Sequence, residues 1–141
     1  MPNSVSSLAI FDLDNTLLAG DSDHAWGEFL CANGYVDAQQ HQRLNDQFYQ
    51  AYCDGDLDID AYLQFALSAI AGKTPAELSQ LHADFMQQFI QPMRLKKADT
   101  LLQQHRENGD FLLIVTATND FITAPIAQAL GVDDLIASQA E

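Results

Sequence analysis

Ile10-Phe11-Asp12-Leu13-Asp14-Asn15-Thr16-Leu17-Leu18 is the stretch on which the fold turns. With Leu8-Ala9 before it, a short unbroken apolar run leads straight into two aspartates set two residues apart. Such a run, bounded by turn-forming polar residues, suits a strand buried on both faces within a parallel sheet. In sheets of that kind, ligand sites form just beyond the carboxyl ends of the strands. Two carboxylates at such a place repel, so one is held neutral or a cation joins them. From spacing alone, Asp-Leu-Asp-Asn-Thr also fits a turn that begins a helix.

Working outward, a second apolar run, Phe111 to Val115, ends in Thr116-Ala117-Thr118-Asn119, and Leu135-Ile136-Ala137 reads as a third, short strand. The segments between them have helical period. Ala98, Leu101, Leu102 and His105 share one face, with Gly109 where a helix should stop. Thr123 is predicted to start a helix with Pro125 in its first turn, Ile126 and Leu130 inward, and Gly131 at its end. Strand–helix–strand alternation implies an α/β fold with right-handed crossovers and a parallel sheet.

Between Gly20 and about Gln91 the pattern is helical throughout. Trp26, Phe29 and Leu30 make one face; Leu44, Phe48, Ala51 and Tyr52 a second; Ile59, Tyr62, Leu63, Ala66 and Ile70 a third; Leu78, Leu81, Phe85 and Phe89 a fourth. The expected division is a core of residues 1–18 and 92–141 with a helical cap of residues 19–91 lying over the strand ends.

The aspartate pair suggests a division of labour. Asp12 can attack phosphorus and form an aspartyl-phosphate, the covalent route open to a carboxylate. Asp14 can protonate the leaving oxygen and later activate water. A hard cation such as Mg²⁺, bound through Asp12 and Asp14, suits oxygen ligands and lowers the repulsion between nucleophile and phosphate.

FDLDNTLL resembles the first signature of the haloacid dehalogenase superfamily, and FDLDNTLLAGDSDHAW is similar to its phosphoserine-phosphatase-like branch, subfamily IB. The resemblance implies a Rossmannoid parallel sheet with an inserted helical cap, Asp12 as nucleophile, Asp14 as acid/base, and the Asp14 backbone carbonyl also on Mg²⁺. It implies that Thr116, ending FLLIVTAT, hydrogen-bonds the phosphate, and that Asp21 is the acidic residue where the cap meets the site. It further implies a downstream Lys and an acidic segment, which do not appear before Glu141; Lys96 and Lys97 stand in the wrong place for that Lys. The chain is therefore expected to be the N-terminal two thirds of a longer enzyme, its sheet incomplete and its first strand an apolar edge through which copies could associate.

Several residues keep a second reading. Asp21 also suits the start of the helix bearing Trp26. Asn119 or Asp120 could face the phosphate or simply begin the next helix, and His24 fits an exposed position on the cap. Asp54, Asp56, Asp58 and Asp60 alternate as in a calcium loop but lack its closing Glu.

Composition narrows the partners. Twenty acidic against 6 basic side chains, a formal net charge of -14, disfavour nucleic acid and anionic membranes. Cys31 and Cys53 form no metal or disulfide pattern, and the first residues do not read as a leader, so a cytoplasmic setting is expected. The expected activity is Mg²⁺-dependent hydrolysis of a small phosphate monoester. Alternatives are a non-catalytic or regulatory fragment that keeps the phosphate-binding half, and a phosphotransferase. The cap stretch IDAYLQFALSAIAG has no Arg to hold a substrate carboxylate, which counts against phosphoserine; Arg43 and Arg94 lie at its flanks.

Overall fold

A computed structural model describes residues 7–139; the expected leaderless N-terminus and the chain end fall partly outside them. Three parallel strands, β1 (Leu8–Phe11), β2 (Phe111–Asn119) and β3 (Asp134–Ser138), lie in the order β1-β2-β3. Leu8 pairs with Phe111 and Phe11 with Ile114, while Val115 of β2 pairs with Ile136 of β3.

Both connections within the sheet step in the same direction, so right-handed crossovers bring their helices, α6 (Lys96–Glu107) and α7 (Asp120–Leu130), to one face. Ala9, Phe11, Leu112 and Ile114 are buried on that side. Leu8 and Ile10, expected to be buried, are instead 55% and 59% exposed, and Val115 and Ile136 on the same opposite face are also exposed. The run of apolar residues signalled two covered faces; among the described residues the second face is covered at Leu113 but not at Leu8, Ile10, Val115 or Ile136.

The helices begin and end for local reasons. Asn119, not Thr123, starts α7: its side chain accepts from the Ile122 N–H at 3.1 Å, so Pro125 falls inside the helix rather than in its first turn. Thr123 is buried and its hydroxyl donates to the Asn119 carbonyl at 2.9 Å. Both residue types can terminate a strand and open a helix, and the one at the strand end comes first. Gly131 closes α7 at φ 74, and the Arg106 guanidinium donates to the Leu130 and Gly131 carbonyls at 3.1 and 3.2 Å.

Between β1 and α6 lie α1 (Ser22–Ala32), α2 (Ala38–Cys53), α3 (Ile59–Leu67), α4 (Pro75–Phe85) and the short α5 (Gln91–Met93), with a π-helical turn at Met86–Ile90 joining the last two. Trp26, Phe29 and Phe85 are almost wholly buried, and burial of side chains this large contributes about 1.5–3 kcal/mol each. Trp26 meets Phe121 of α7 edge-on at 5.6 Å and so ties the helical stretch to the sheet layer. Its indole N–H donates to the Ala66 carbonyl at 3.1 Å and seats α3 on α1.

α2 is peripheral, with no buried residue. Phe48 packs on Tyr62 and Phe65, but Tyr52, expected inward, is exposed, as are Ile59 and Leu101. Asp58 accepts from the Ala61 N–H at the start of α3, which gives one of the alternating aspartates a structural role. The chain leaves the core at Leu18 and returns at Arg94, two residues joined by an antiparallel bridge; the Ala19 N–H donates to the Met93 carbonyl at 2.7 Å. No described helix is long and apolar enough to cross a membrane.

Candidate active site

The pairing of β1 with β2 ends at Phe11 and Ile114, so Asp12 leaves its strand there, whereas β2 runs on past Thr116, expected to end it, as far as Asn119. Beyond Phe11 the chain turns tightly, with the Leu13 carbonyl accepting from the N–H groups of Thr16, Leu17 and Leu18 at 3.3, 3.0 and 3.1 Å. Asn15 takes a left-handed conformation, φ 59, which asparagine tolerates better than most residues. The turn buries Leu13, Leu17 and Leu18 as an anchor, while Asp12 is exposed and Asp14 half-buried.

The two aspartates are held differently. Asp12 is exposed; its Oδ1 accepts from the Leu13 N–H at 2.9 Å, and its Oδ2 has no hydrogen-bond partner among the described residues. Asp14 uses both oxygens. Its Oδ1 accepts from the Ser22 N–H at 2.7 Å and its Oδ2 from the Thr118 hydroxyl at 2.8 Å. Asp14 therefore joins three segments: the loop after β1, the first turn of α1 and the end of β2.

Thr116 is buried, and its oxygen accepts from the Thr118 N–H at 3.1 Å, which keeps its own O–H available to donate. Asp21 stands at the start of α1, where Oδ1 accepts from the N–H groups of Asp23 and His24 at 2.8 and 3.0 Å. His24 is exposed and bonded to Glu28 at 2.7 Å. Asp14 is thus tied to β2 through Thr118, two residues beyond Thr116, and to α1 through Ser22, the neighbour of Asp21, while among the described residues Asp12 bonds only within its own loop.

Sequence reading did not single out Thr118, Ser22 or Asp23 as part of this locus, nor Tyr62 beyond its place on a helical face. Thr118 had a signal, since residues two apart on a strand share a face and Thr116 was already a candidate. Asp23 accepts a hydrogen bond from the Tyr62 hydroxyl through Oδ2, while its Oδ1 is buried without a partner. Burial raises the Asp23 carboxyl above the ordinary aspartate range, against the Tyr62 bond and with help from the charges of Asp21 and Asp14. Burial, then the Asp23 charge, raises the Tyr62 phenol as well. The Ser22 hydroxyl, in a fully buried residue, and His82 Nδ1, on a ring 4.2 Å from that of Phe121, also lack partners among the described residues.

The donor set suits a hard cation. Asp12 presents an uncommitted carboxylate oxygen and Asp14 has both side-chain oxygens engaged, so that the second ligand is the Asp14 backbone carbonyl only as the family resemblance implies. Among the described residues no group of three or more His, Cys, Asp or Glu comes together as a complete metal site. Two oxygen ligands leave the remaining positions to water and phosphate, a division that Mg²⁺ favours.

The haloacid dehalogenase-like hydrolase family model matches residues 9–141. A histidinol-phosphatase of Neisseria meningitidis serogroup C (strain 8013) is 42% identical over 137 residues, covering 97% of this chain and 62% of that protein. A protein of unknown function from Bordetella pertussis Tohama I has a crystal structure with 40% sequence identity and a TM-score of 0.87, covering 98% of this chain and 62% of that one. A phosphoserine phosphatase solved as a phospho-aspartyl intermediate analogue shares the fold at a TM-score of 0.59 and 14% identity, over 95% of this chain and 56% of that one. The chain thus spans about 62% of the length of its similar relatives. From the strand-end aspartate pair through the sheet that carries it, this chain belongs to the haloacid dehalogenase-like hydrolase family.

Proposed function

We propose that this chain carries the nucleophile-bearing part of a Mg²⁺-dependent phosphate monoester hydrolase, acting through an aspartyl-phosphate on Asp12. The proposed substrate is a small phosphorylated metabolite, with histidinol phosphate the first candidate because of the 42% identity to the Neisseria enzyme. The observation that carries the reading is the contrast between the aspartates. Asp12 has an exposed, uncommitted oxygen, and Asp14 is fixed at both of its own.

Attack by Asp12 Oδ2 forms a bond to phosphorus as the ester P–O bond breaks, and the leaving oxygen takes a proton from Asp14. Only one Asp14 oxygen suits that proton. The Ser22 N–H is always a donor, whereas the Thr118 hydroxyl can turn from donor to acceptor. Asp14 Oδ2 therefore carries the proton, with Thr118 as its acceptor. Water then attacks phosphorus, returns a proton to the same oxygen and releases Asp12. Thr116 donates its hydroxyl to a phosphate oxygen. Asp12 and the Asp14 carbonyl would hold Mg²⁺, which when bound supplies positive charge between nucleophile and phosphate.

The test is phosphate release from histidinol phosphate by the full-length enzyme, with Mg²⁺ and after chelation, beside Asp12→Asn. Metal-dependent release that the variant lacks is expected; release by Asp12→Asn near the wild-type rate removes Asp12 from its role. Phosphoserine should be no better than esters without a carboxylate, since Arg94 is engaged by Asp99 at 3.0 Å and Arg43 is exposed on α2.

A further inference from the structure

We propose that His82 is an acid-sensitive contact between α4 and α7: its ring rests on Phe121 only while uncharged, and protonation loosens the junction where α4, α1 and α7 meet. The inference stands apart from the phosphatase reading, since it concerns packing and not the reaction.

Geometry separates this histidine from the other three in the chain. His24 lies 2.7 Å from Glu28 and His105 lies 2.8 Å from Asp110, so each has a carboxylate to receive a charged ring. His41 stacks on Phe65 at 4.8 Å, within the helical stretch. His82 instead joins that stretch to the sheet layer: its ring centre is 4.2 Å from that of Phe121 on α7 and 6.1 Å from that of Trp26 on α1. Its Nδ1 is buried without a hydrogen-bond partner among the described residues. A neutral imidazole tolerates this, because with its proton on Nε2 it presents only a lone pair at Nδ1. A charged ring carries a proton on both nitrogens and so places a buried N–H where no acceptor lies. An unpaired buried donor is costly, and the face of a phenylalanine returns only part of that cost.

The charged groups on the elements packed around the ring are Asp23 and Glu28 of α1, Glu77 and Asp84 of α4, and Asp120 of α7. Asp23 is bonded by Tyr62, Glu28 by His24 and Asp84 by Gln80. Burial holds the His82 ring below the ordinary 6.5. The packed state therefore binds fewer protons than the loosened one. The contact is at full strength above 6.5 and weakens as pH falls below it, until the packed ring is itself protonated. Trp26 also meets Phe121 at 5.6 Å, and its helix presents the Ser22 N–H to Asp14 at 2.7 Å. Loosening around His82 thus reaches the helix that fixes Asp14.

The test is hydrogen exchange read by mass spectrometry on the full-length protein, from about pH 8 to about pH 5, corrected for the intrinsic exchange rate. In wild type, peptides covering α4 and the start of α7 should lose protection below 6.5, by up to about tenfold per pH unit. His82→Phe, aromatic and uncharged at every pH, should remove that loss. Wild-type protection that stays constant over this range overturns the proposal, as does an equal loss in His82→Phe. His82→Gln serves in the same way should the phenylalanine variant fail to fold. Should neither variant fold, the His82 ring is titrated directly by NMR. A midpoint below 6.5 supports the proposal; one at or above 6.5 overturns it and shows that Asp23 or Asp120 shelters the charged ring.

Discussion

The Thr118 hydroxyl donates to Asp14 Oδ2 at 2.8 Å, joining residues from two strand ends that lie 104 positions apart in the chain. Thr118 touches no reacting atom in the proposed mechanism; it positions the residue that does. Thr118→Val keeps the shape and removes the hydrogen bond. It should lower kcat by about 10-fold or more, within the range of a net hydrogen bond to a charged group, with a smaller change in KM. Thr118→Ser should restore most of the loss. Steady-state kinetics beside thermal melts check this, and a valine variant with wild-type kcat would remove Thr118 from the site.

Asp12→Asn and Asp14→Asn should differ in kind. The first removes the proposed nucleophile and should abolish turnover with every ester while the fold is kept. The second leaves attack in place but impairs protonation of the leaving oxygen, so its deficit should grow as the leaving alcohol becomes more basic. A series of aryl and alkyl phosphates separates the two. Equal deficits across the series for Asp14→Asn would contradict its role as the acid.

The positions of the strands were legible because they depend on local runs: Leu8–Phe11, Phe111–Val115 and Leu135–Ala137 each lie within an observed strand. Asp12 could be placed just past the end of β1 for the same reason, whereas Thr116, expected to end its strand, lies within β2. What the chain concealed was long-range. Nothing local to Asp23 shows that Tyr62 will lie against it, because that contact exists only once α3 rests on α1. The exposure of Leu8 and Ile10 depends on which sheet face the helices cover, and apolar character alone says nothing of that. β2 runs on through Thr-Ala-Thr-Asn, where polar residues hid its last turns from an apolar pattern, and Thr118 with them.

Trp26 offers a test of the seat between α1 and α3. Trp26→Phe keeps an aromatic ring but leaves the Ala66 carbonyl without its donor, a loss of about 1–3 kcal/mol in addition to the smaller ring. Urea titration of wild type and variant should show a lower midpoint with a similar slope. An unchanged midpoint would mean that water replaces the indole N–H without penalty.

Asp110 should make stability depend on acid. His105 Nδ1 lies 2.8 Å from its Oδ2, and Asn108 and Ser7 donate to its Oδ1, so the carboxyl is held below the ordinary 3.8, with the His105 bond the largest cause. A carboxyl depressed in the folded state contributes stability above its unfolded value, and that contribution is lost as pH falls through the folded value. Asp110→Asn should therefore melt lower than wild type near neutral pH, and the two should converge below 3.8. A constant gap from neutral to strongly acid pH would show that Asp110 acts through shape and not through its charge.

The bridge between Leu18 and Arg94 makes the five-helix excursion between them equivalent, for the sheet, to a single pinched hairpin. Closing a longer loop costs only about 0.6 kcal/mol per doubling of its length, and here the ends are already clasped by backbone hydrogen bonds. The strand pair that carries Asp12 is thereby largely indifferent to what is strung between those two residues. The intervening helices can be lengthened, reshuffled or exchanged as a cassette while the paired ends of β1 and β2 stay where they are.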